Sequence, residues 1–204
     1  MQVNFLRFDY CNQGVSQGAF QNVTIASKTD DVLHWIKNVR AYFENEQIKI
    51  YLIGFSDGAR VAVNAAIHSE DINGLILWNP IVKLPNSQEE SANPHAAKDR
   101  LYMDRKTRNI YKKLLGVKLN TTILNEMKND NTFSSLINYK KPILYVFGSE
   151  DRFTKYLQRV IYHIGIYDLK KDDIYTVDGA HHIFSSTYFE KNVILKTINW
   201  VKSL

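Results

Sequence analysis

The chain has 204 residues, 45% of them hydrophobic and 23% charged, a balance that allows a buried core and excludes a disordered composition. Its formal net charge of +5 is scattered in ones and twos among acids, which excludes a nucleic-acid-binding arm and leaves nucleic acid off the expected partners. The single cysteine, Cys11, excludes an intrachain disulfide and fits a reducing compartment, so the cytoplasm is the expected location.

The start, Met-Gln-Val-Asn-Phe-Leu-Arg-Phe-Asp, has no basic end followed by a long apolar run, and no stretch reaches the roughly 18 apolar residues of a membrane helix. Neither export nor a membrane span is expected. From Val3 to Phe8 the residues are apolar and β-favouring, and they pass into a polar segment, Asp9 to Gly18, carrying Gly14. This reads as a strand entering a loop. Thr29 to Phe43 sets Val32, Trp35, Ile36, Val39 and Phe43 at helical spacing, with Thr29, Asp30 and Asp31 as N-terminal caps and acids. An amphipathic helix is expected there.

Ile48 to Phe55 is apolar apart from Lys49, as for a strand covered on both faces, and Ala59 to Ile67 behind it is a small-residue helix. Gly74 to Trp78, ending at Asn79-Pro80, and Pro142 to Phe147, ending at Gly148, read as buried parallel strands. Ile174 to Val177 is the last short strand, and Tyr188 to Val201 closes the chain as a helix with Val193, Ile194, Ile198 and Val201 on one side. Strands alternating with helices predict an α/β fold, a mostly parallel central sheet with helices on both faces. Residues 1–204 are expected to form one domain. The stretch 81–141 would be a lid inserted between two strands, helix-like over Ala96 to Leu115 and Thr121 to Lys128.

Gly54-Phe55-Ser56-Asp57-Gly58 is a G-x-S-x-G sequence between an apolar strand and a small-residue helix, the context in which such a serine sits on a tight turn with its hydroxyl exposed. Glycines two residues to either side are expected to let strand and helix approach. Ser56 is the candidate nucleophile. The Asp57 backbone N–H, at the positive end of the helix, is the candidate oxyanion donor.

A serine nucleophile needs a base, and the base needs an orienting acid. Gly148-Ser-Glu150-Asp151 places two carboxylates just past a strand, and G-x-x-D spacing favours Asp151 with Glu150 as the runner-up. Gly179-Ala-His181-His182 supplies two adjacent histidines before the terminal helix, which cannot both face the serine. His34, His68, His95 and His163 are assigned no role. No third ligand at metal-binding spacing accompanies the pair, so neither a metal nor another cofactor is expected.

These residues resemble the α/β-hydrolase superfamily over essentially the whole chain, in particular its lysophospholipase, serine aminopeptidase-like and acyl-thioesterase or esterase branches. Arg7-Phe-Asp9-Tyr-Cys-Asn-Gln-Gly14-Val-Ser16-Gln-Gly18 is similar to that family's R-F-D-x-R-G-x-G-x-S-x-G loop, with Cys11-Asn12 departing from Arg-Gly. Gly179-Ala-His-His182 matches its G-x-x-H pattern, so the resemblance selects His182 over His181 as the base. In that family a further strand and an H-G-type loop, the source of a second oxyanion N–H, precede the R-F-D segment. Both are lacking here, and the expectation is an N-terminally incomplete hydrolase, a fragment or incomplete gene model. The alternative is that the Phe5 and Ile50 strands pair directly in a divergent or inactive member.

The resemblance implies hydrolysis of an ester, thioester or amide through an acyl-enzyme, with a small-molecule acyl ester or thioester as substrate; a non-catalytic hydrolase-fold binding protein is the alternative. Lipid, acyl-CoA, peptide and xenobiotic acyl groups all fit, and nothing fixes an oligomeric state. On the expected helical lid, Lys98, Arg100, Arg105, Lys106, Arg108, Lys112, Lys113 and Lys118 outnumber Asp99 and Asp104. A basic lid would steer anionic acyl donors, whereas a solvated helix face, the commoner origin of such runs, would only aid solubility.

Overall fold

The computed structural model describes residues 3–81, 101–103, 110–114, 117–154 and 173–204. Its contacts divide the chain into two compact units: Met1–Leu6 with Val32–Val82 and Asn131–Leu204, and Arg7–Asp31 with Lys83–Asp130.

The first unit is built on four parallel strands, β1 (Ile50–Phe55), β2 (Ile72–Trp78), β6 (Ile143–Gly148) and β7 (Asp173–Val177), in the order β1-β2-β6-β7. The register sets Phe55 against Trp78, Trp78 against Val146, and Gly148 against Val177. All four strands therefore end along one edge, where open parallel sheets carry their sites. Helix α2 (Gly58–Ile67) packs on β1 and β2 and buries Val61, Val63, Ala65 and Ala66. On the other face Ile76, Leu144, Val146 and Val177 meet Val193, Trp200 and Val201 of the terminal helix α4 (Thr187–Ser203). Side chains alternate along a strand, so Leu75, Leu77, Ile143, Tyr145 and Phe147, all fully buried, point the opposite way. The sheet is thus covered by helices on both faces.

Several elements differ from the sequence reading. Residues 3–8 form no strand; β-favouring composition makes a strand only where a ladder partner exists, and no described strand pairs with them. The alternative in which they pair directly with β1 is likewise not realised. Among the described strands β2 is the only partner of β1, which therefore stands at the sheet's edge, and Ile53 and Phe55 are 38% exposed, so β1 is less fully buried than its apolar run predicts. On α4 the buried stripe is Val193, Thr197, Trp200 and Val201, with Ile194 exposed. Thr197 is admitted to the core because its Oγ1 accepts from Trp78 Nε1 at 3.1 Å.

Helix α1 (Ile25–Tyr42) begins before Thr29. Thr24 and Ser27 cap it reciprocally, Thr24 N–H donating to Ser27 Oγ at 3.1 Å and Ser27 N–H to Thr24 Oγ1 at 2.9 Å. Thr29 is instead buried one turn inside, its hydroxyl donating to Ile25 O at 2.9 Å. Trp35, placed by spacing on the buried face, is exposed, while Val32 and Ile36 are buried.

In the second unit β3 (Leu101–Met103), β4 (Ile110–Leu114) and β5 (Val117–Asn120) form an antiparallel sheet. This corrects the helical reading of Ala96 to Leu115 at residues 101–103 and 110–114, the rest of that stretch lying outside the described residues: Tyr102 lies opposite Tyr111 and Lys113 opposite Lys118, pairings that override helical spacing. The expected second helix is present as α3 (Thr121–Asn129), capped by Asn120 Oδ1 accepting from Thr122 N–H at 2.8 Å. Val23, Ile25 and Ile123 form its small core, and Glu126 Oε2 accepts from Ile25 N–H at 2.7 Å. Of the basic residues, Lys112 and Lys113 fall on β4 and Lys118 on β5; Lys98, Arg100, Arg105, Lys106 and Arg108 lie outside the described residues, as does His95.

The R-F-D-like loop folds around two side chains of this unit. Asp9 Oδ2 accepts from Val15 N–H at 3.0 Å, and Asn12, at φ 67°, accepts from Ala19 N–H through Oδ1 at 3.1 Å. A Cβ at Gly14 would collide with the Asp9 carboxylate, and one at Gly18 with Asn12.

Candidate active site

Between β1 and α2 the chain turns at Ser56, whose φ of 54° places a non-glycine residue in the left-handed region, a strain characteristic of sites that over-determine their backbone. Its N–H donates to Trp78 O at 2.9 Å, and its carbonyl accepts from Ala59 N–H at 3.2 Å and Ile81 N–H at 3.3 Å. The flanking glycines differ in their reasons. A Cβ on Gly54 would stand 2.5 Å from Ala59 Cα, whereas one on Gly58 would meet nothing within 4 Å. Close approach of strand and helix therefore explains Gly54 and not Gly58, contrary to the symmetrical expectation. Asp57 occupies the N-cap position of α2 without a side-chain cap hydrogen bond, and its carboxylate lies 3.7 Å from Nε of the fully buried Arg60; its backbone N–H directly follows the Ser56 turn.

The structure brings Ser56, His182 and Asp151 together. Ser56 Oγ is 2.8 Å from His182 Nε2, and His182 Nδ1 is 2.8 Å from Asp151 Oδ2. Asp151 is buried, yet its carboxylate is satisfied: Oδ1 accepts from Phe153 N–H at 2.9 Å and Oδ2 from the buried Thr154 hydroxyl at 2.9 Å. These bonds fix the carboxylate with its remaining acceptor capacity toward the imidazole. Glu150 is exposed, with its N–H on Ala180 O at 3.0 Å. His181 is exposed too, its Nδ1 lying 3.4 Å from Glu150 O. His68 caps its own helix, Nδ1 to Asn64 O at 2.7 Å, and His163 lies outside the described residues.

Aromatic rings flank the imidazole. Phe55 lies 5.4 Å and Phe153 5.0 Å from the His182 ring, centroid to centroid, and Phe153 is 58% exposed. The Asp151 and His182 loops approach backbone to backbone, for a Cβ on Gly148 would collide with Ala180 O. One further residue joins them. Asn79, fully buried and at φ 40°, links both loops through its carboxamide; in sequence it marks only the end of a strand before a proline. Among the described residues no group of three or more His, Cys, Asp or Glu could hold a metal ion, and no helix is long and apolar enough to cross a membrane.

No family model and no curated protein sequence matches the chain. Solved structures do. A monoacylglycerol lipase from Paleococcus ferrophilus superimposes with a TM-score of 0.66 at 15% identity, over 96% of this chain and 82% of its own. Est1E from Butyrivibrio proteoclasticus, in a structure with bound ferulic acid, gives 0.65 at 20% identity, over 95% and 74%. A hydrolase from Agrobacterium vitis S4 gives 0.61 at 18% identity, over 92% and 72%. The chain has the α/β-hydrolase fold.

Proposed function

We propose that this protein is a serine hydrolase that cleaves a carboxylic ester or thioester through an acyl-enzyme, with Ser56 as nucleophile, His182 as base and Asp151 as acid. The observation that carries the reading is the continuous relay from Ser56 Oγ through His182 to Asp151, at 2.8 Å for each link, ending on a serine in strained backbone. In such a relay His182 Nε2 takes the hydroxyl proton as Oγ attacks the substrate carbonyl carbon. The carbonyl oxygen becomes an oxyanion, with the Asp57 N–H as one donor toward it. Collapse expels the alcohol or thiol, which receives the proton from Nε2, and a water activated by the same nitrogen then releases the acid. Asp151 keeps Nδ1 protonated and the ring oriented, and stabilises the imidazolium.

Phe55 and Phe153 beside the imidazole favour an apolar group on the substrate. That agrees in kind with a monoacylglycerol lipase and with the ferulic acid bound to Est1E among the structural neighbours. Neither the organic chemistry nor the relay calls for a cofactor. The direct test is a fluorophosphonate probe, which reacts rapidly only with an activated serine. Wild-type protein should be labelled and Ser56→Ala should not; equal labelling of both would remove Ser56 from the role.

A further inference from the structure

We infer that Asn79 is a positioning residue, whose carboxamide holds the base loop against the acid strand so that one imidazole reaches both Ser56 and Asp151. The inference rests on the serine-hydrolase reading of that site. Asn79 is fully buried, where an unsatisfied polar group is destabilising, and every partner given for its side chain is backbone of the site loops. Oδ1 accepts from Gly148 N–H at 2.8 Å, where β6 gives way to the acid loop. Nδ2 donates to the carbonyl of His182 at 2.7 Å and reaches that of His181 at 3.4 Å. The orientation of the amide is forced, since Gly148 N–H can only donate and the two carbonyls can only accept.

The backbone extends the same arrangement. Asn79 N–H donates to Val146 O at 2.8 Å, and the carbonyl just before it, Trp78 O, accepts from Ser56 N–H at 2.9 Å. Two adjacent residues at the end of β2 thus touch the nucleophile turn, the acid strand and the base loop. Asn79 sits at φ 40° directly before Pro80, although a residue preceding proline is driven toward extended backbone. Asparagine tolerates the left-handed region better than most side chains. Glycine would tolerate it better still but has no carboxamide, so the strain accompanies the one side chain that is both donor and acceptor at this length.

The test compares wild type with Asn79→Gly, which relieves the backbone and deletes the amide, and Asn79→Asp, which keeps the shape and the acceptor but replaces the Nδ2 donor. Each variant is assayed well below its melting temperature, with active protein counted by fluorophosphonate titration. In a folded variant kcat for a p-nitrophenyl ester should fall at least about tenfold, toward the roughly 10²-fold that a displacement near 1 Å costs, with KM within about twofold. The far-downfield proton resonance of His182 Nδ1–H should shift or broaden in parallel. Wild-type kcat and an unmoved resonance in either folded variant would overturn the inference, as would a change confined to KM. Should Asn79→Gly not fold, Asn79→Asp decides. Failure of wild-type protein to label would overturn the hydrolase reading instead, and the His182 resonance would still report whether Asn79 places that ring.

Discussion

Ser56 Oγ and His182 Nε2 are 2.8 Å apart although 126 residues separate them in the chain. The contact exists because β1 and β7 end on the same edge of one parallel sheet, so two short loops place side chains from distant segments in register. Replacing the serine tests the contact and the strain together. Ser56→Ala should lose fluorophosphonate labelling and about 10⁴-fold or more of kcat on short p-nitrophenyl esters, with circular dichroism unchanged. Ser56→Gly should be equally inactive yet melt higher, because relief of a left-handed non-glycine residue is worth of order 1 kcal/mol. A lower melting temperature for the glycine variant would show that φ 54° is not a strain the fold bears.

The adjacent histidines separate cleanly. His182 meets Ser56 and Asp151, while His181 is exposed with its ring near Glu150 O. His182→Ala should reduce kcat about as far as Ser56→Ala, and His181→Ala should leave it within a fewfold. Reversal of that order in steady-state assays would transfer the base to His181.

At the acid, Asp151→Asn should lower kcat by about 10⁴-fold, since an amide no longer holds the imidazole in the working tautomer. Glu150→Gln should be close to wild type. Thr154 offers a subtler variant: Thr154→Val deletes the hydroxyl that bonds Asp151 Oδ2 at 2.9 Å and keeps the shape. A hydrogen bond to a charged group is worth about 1.5–3 kcal/mol, so kcat should drop roughly tenfold or more while Asp151→Asn, already inactive, loses little further from the same change. Full additivity of the two substitutions in a double-mutant cycle would count against Thr154 acting through the carboxylate.

What the sequence made legible was local. G-x-S-x-G between an apolar strand and an alanine-rich helix, G-x-x-D after a strand and G-x-x-H before the last helix each declare themselves within a dozen residues. What it hid depends on partners far along the chain. Asn79 is defined by Gly148 and His182, 69 and 103 residues away, and nothing near it signals either. Leu101–Met103 and Ile110–Leu114 fall within a helix-like stretch of sequence but are strands, because antiparallel pairing is settled by β5 beyond them. Residues 3–8 have strand composition without a ladder to join. Thr24 and Ser27 could have been found, for Thr-x-x-Ser before a helical pattern is a capping signal that the more acidic Thr29-Asp30-Asp31 obscured.

The glycines of the nucleophile turn give the sharpest stability prediction, because the motif treats them alike and the structure does not. At Gly54 a methyl group would be pressed to 2.5 Å from Ala59 Cα, 2.7 Å from Gly58 O and 2.8 Å from Ala59 N, and all three are backbone atoms that no rotamer change can move aside. Gly54→Ala must therefore push β1 away from the start of α2, shifting the Ser56 turn as it does so. Forced overpacking typically costs about 1–3 kcal/mol and occasionally more, and this site, with helix backbone as the obstacle, belongs at the upper end. At Gly58 the new methyl enters open space on the first residue of α2, where alanine is the better helix former by up to about 1 kcal/mol. Urea unfolding should thus place Gly54→Ala well below wild type and Gly58→Ala at or slightly above it. Since a methyl group at Gly58 would meet nothing within 4 Å, Gly58→Ala should also keep Ser56 reactive to a fluorophosphonate, whereas Gly54→Ala should lose reactivity even in the fraction that remains folded. Equal destabilisation by the two substitutions would mean that the approach of β1 to α2 does not set the geometry of the turn.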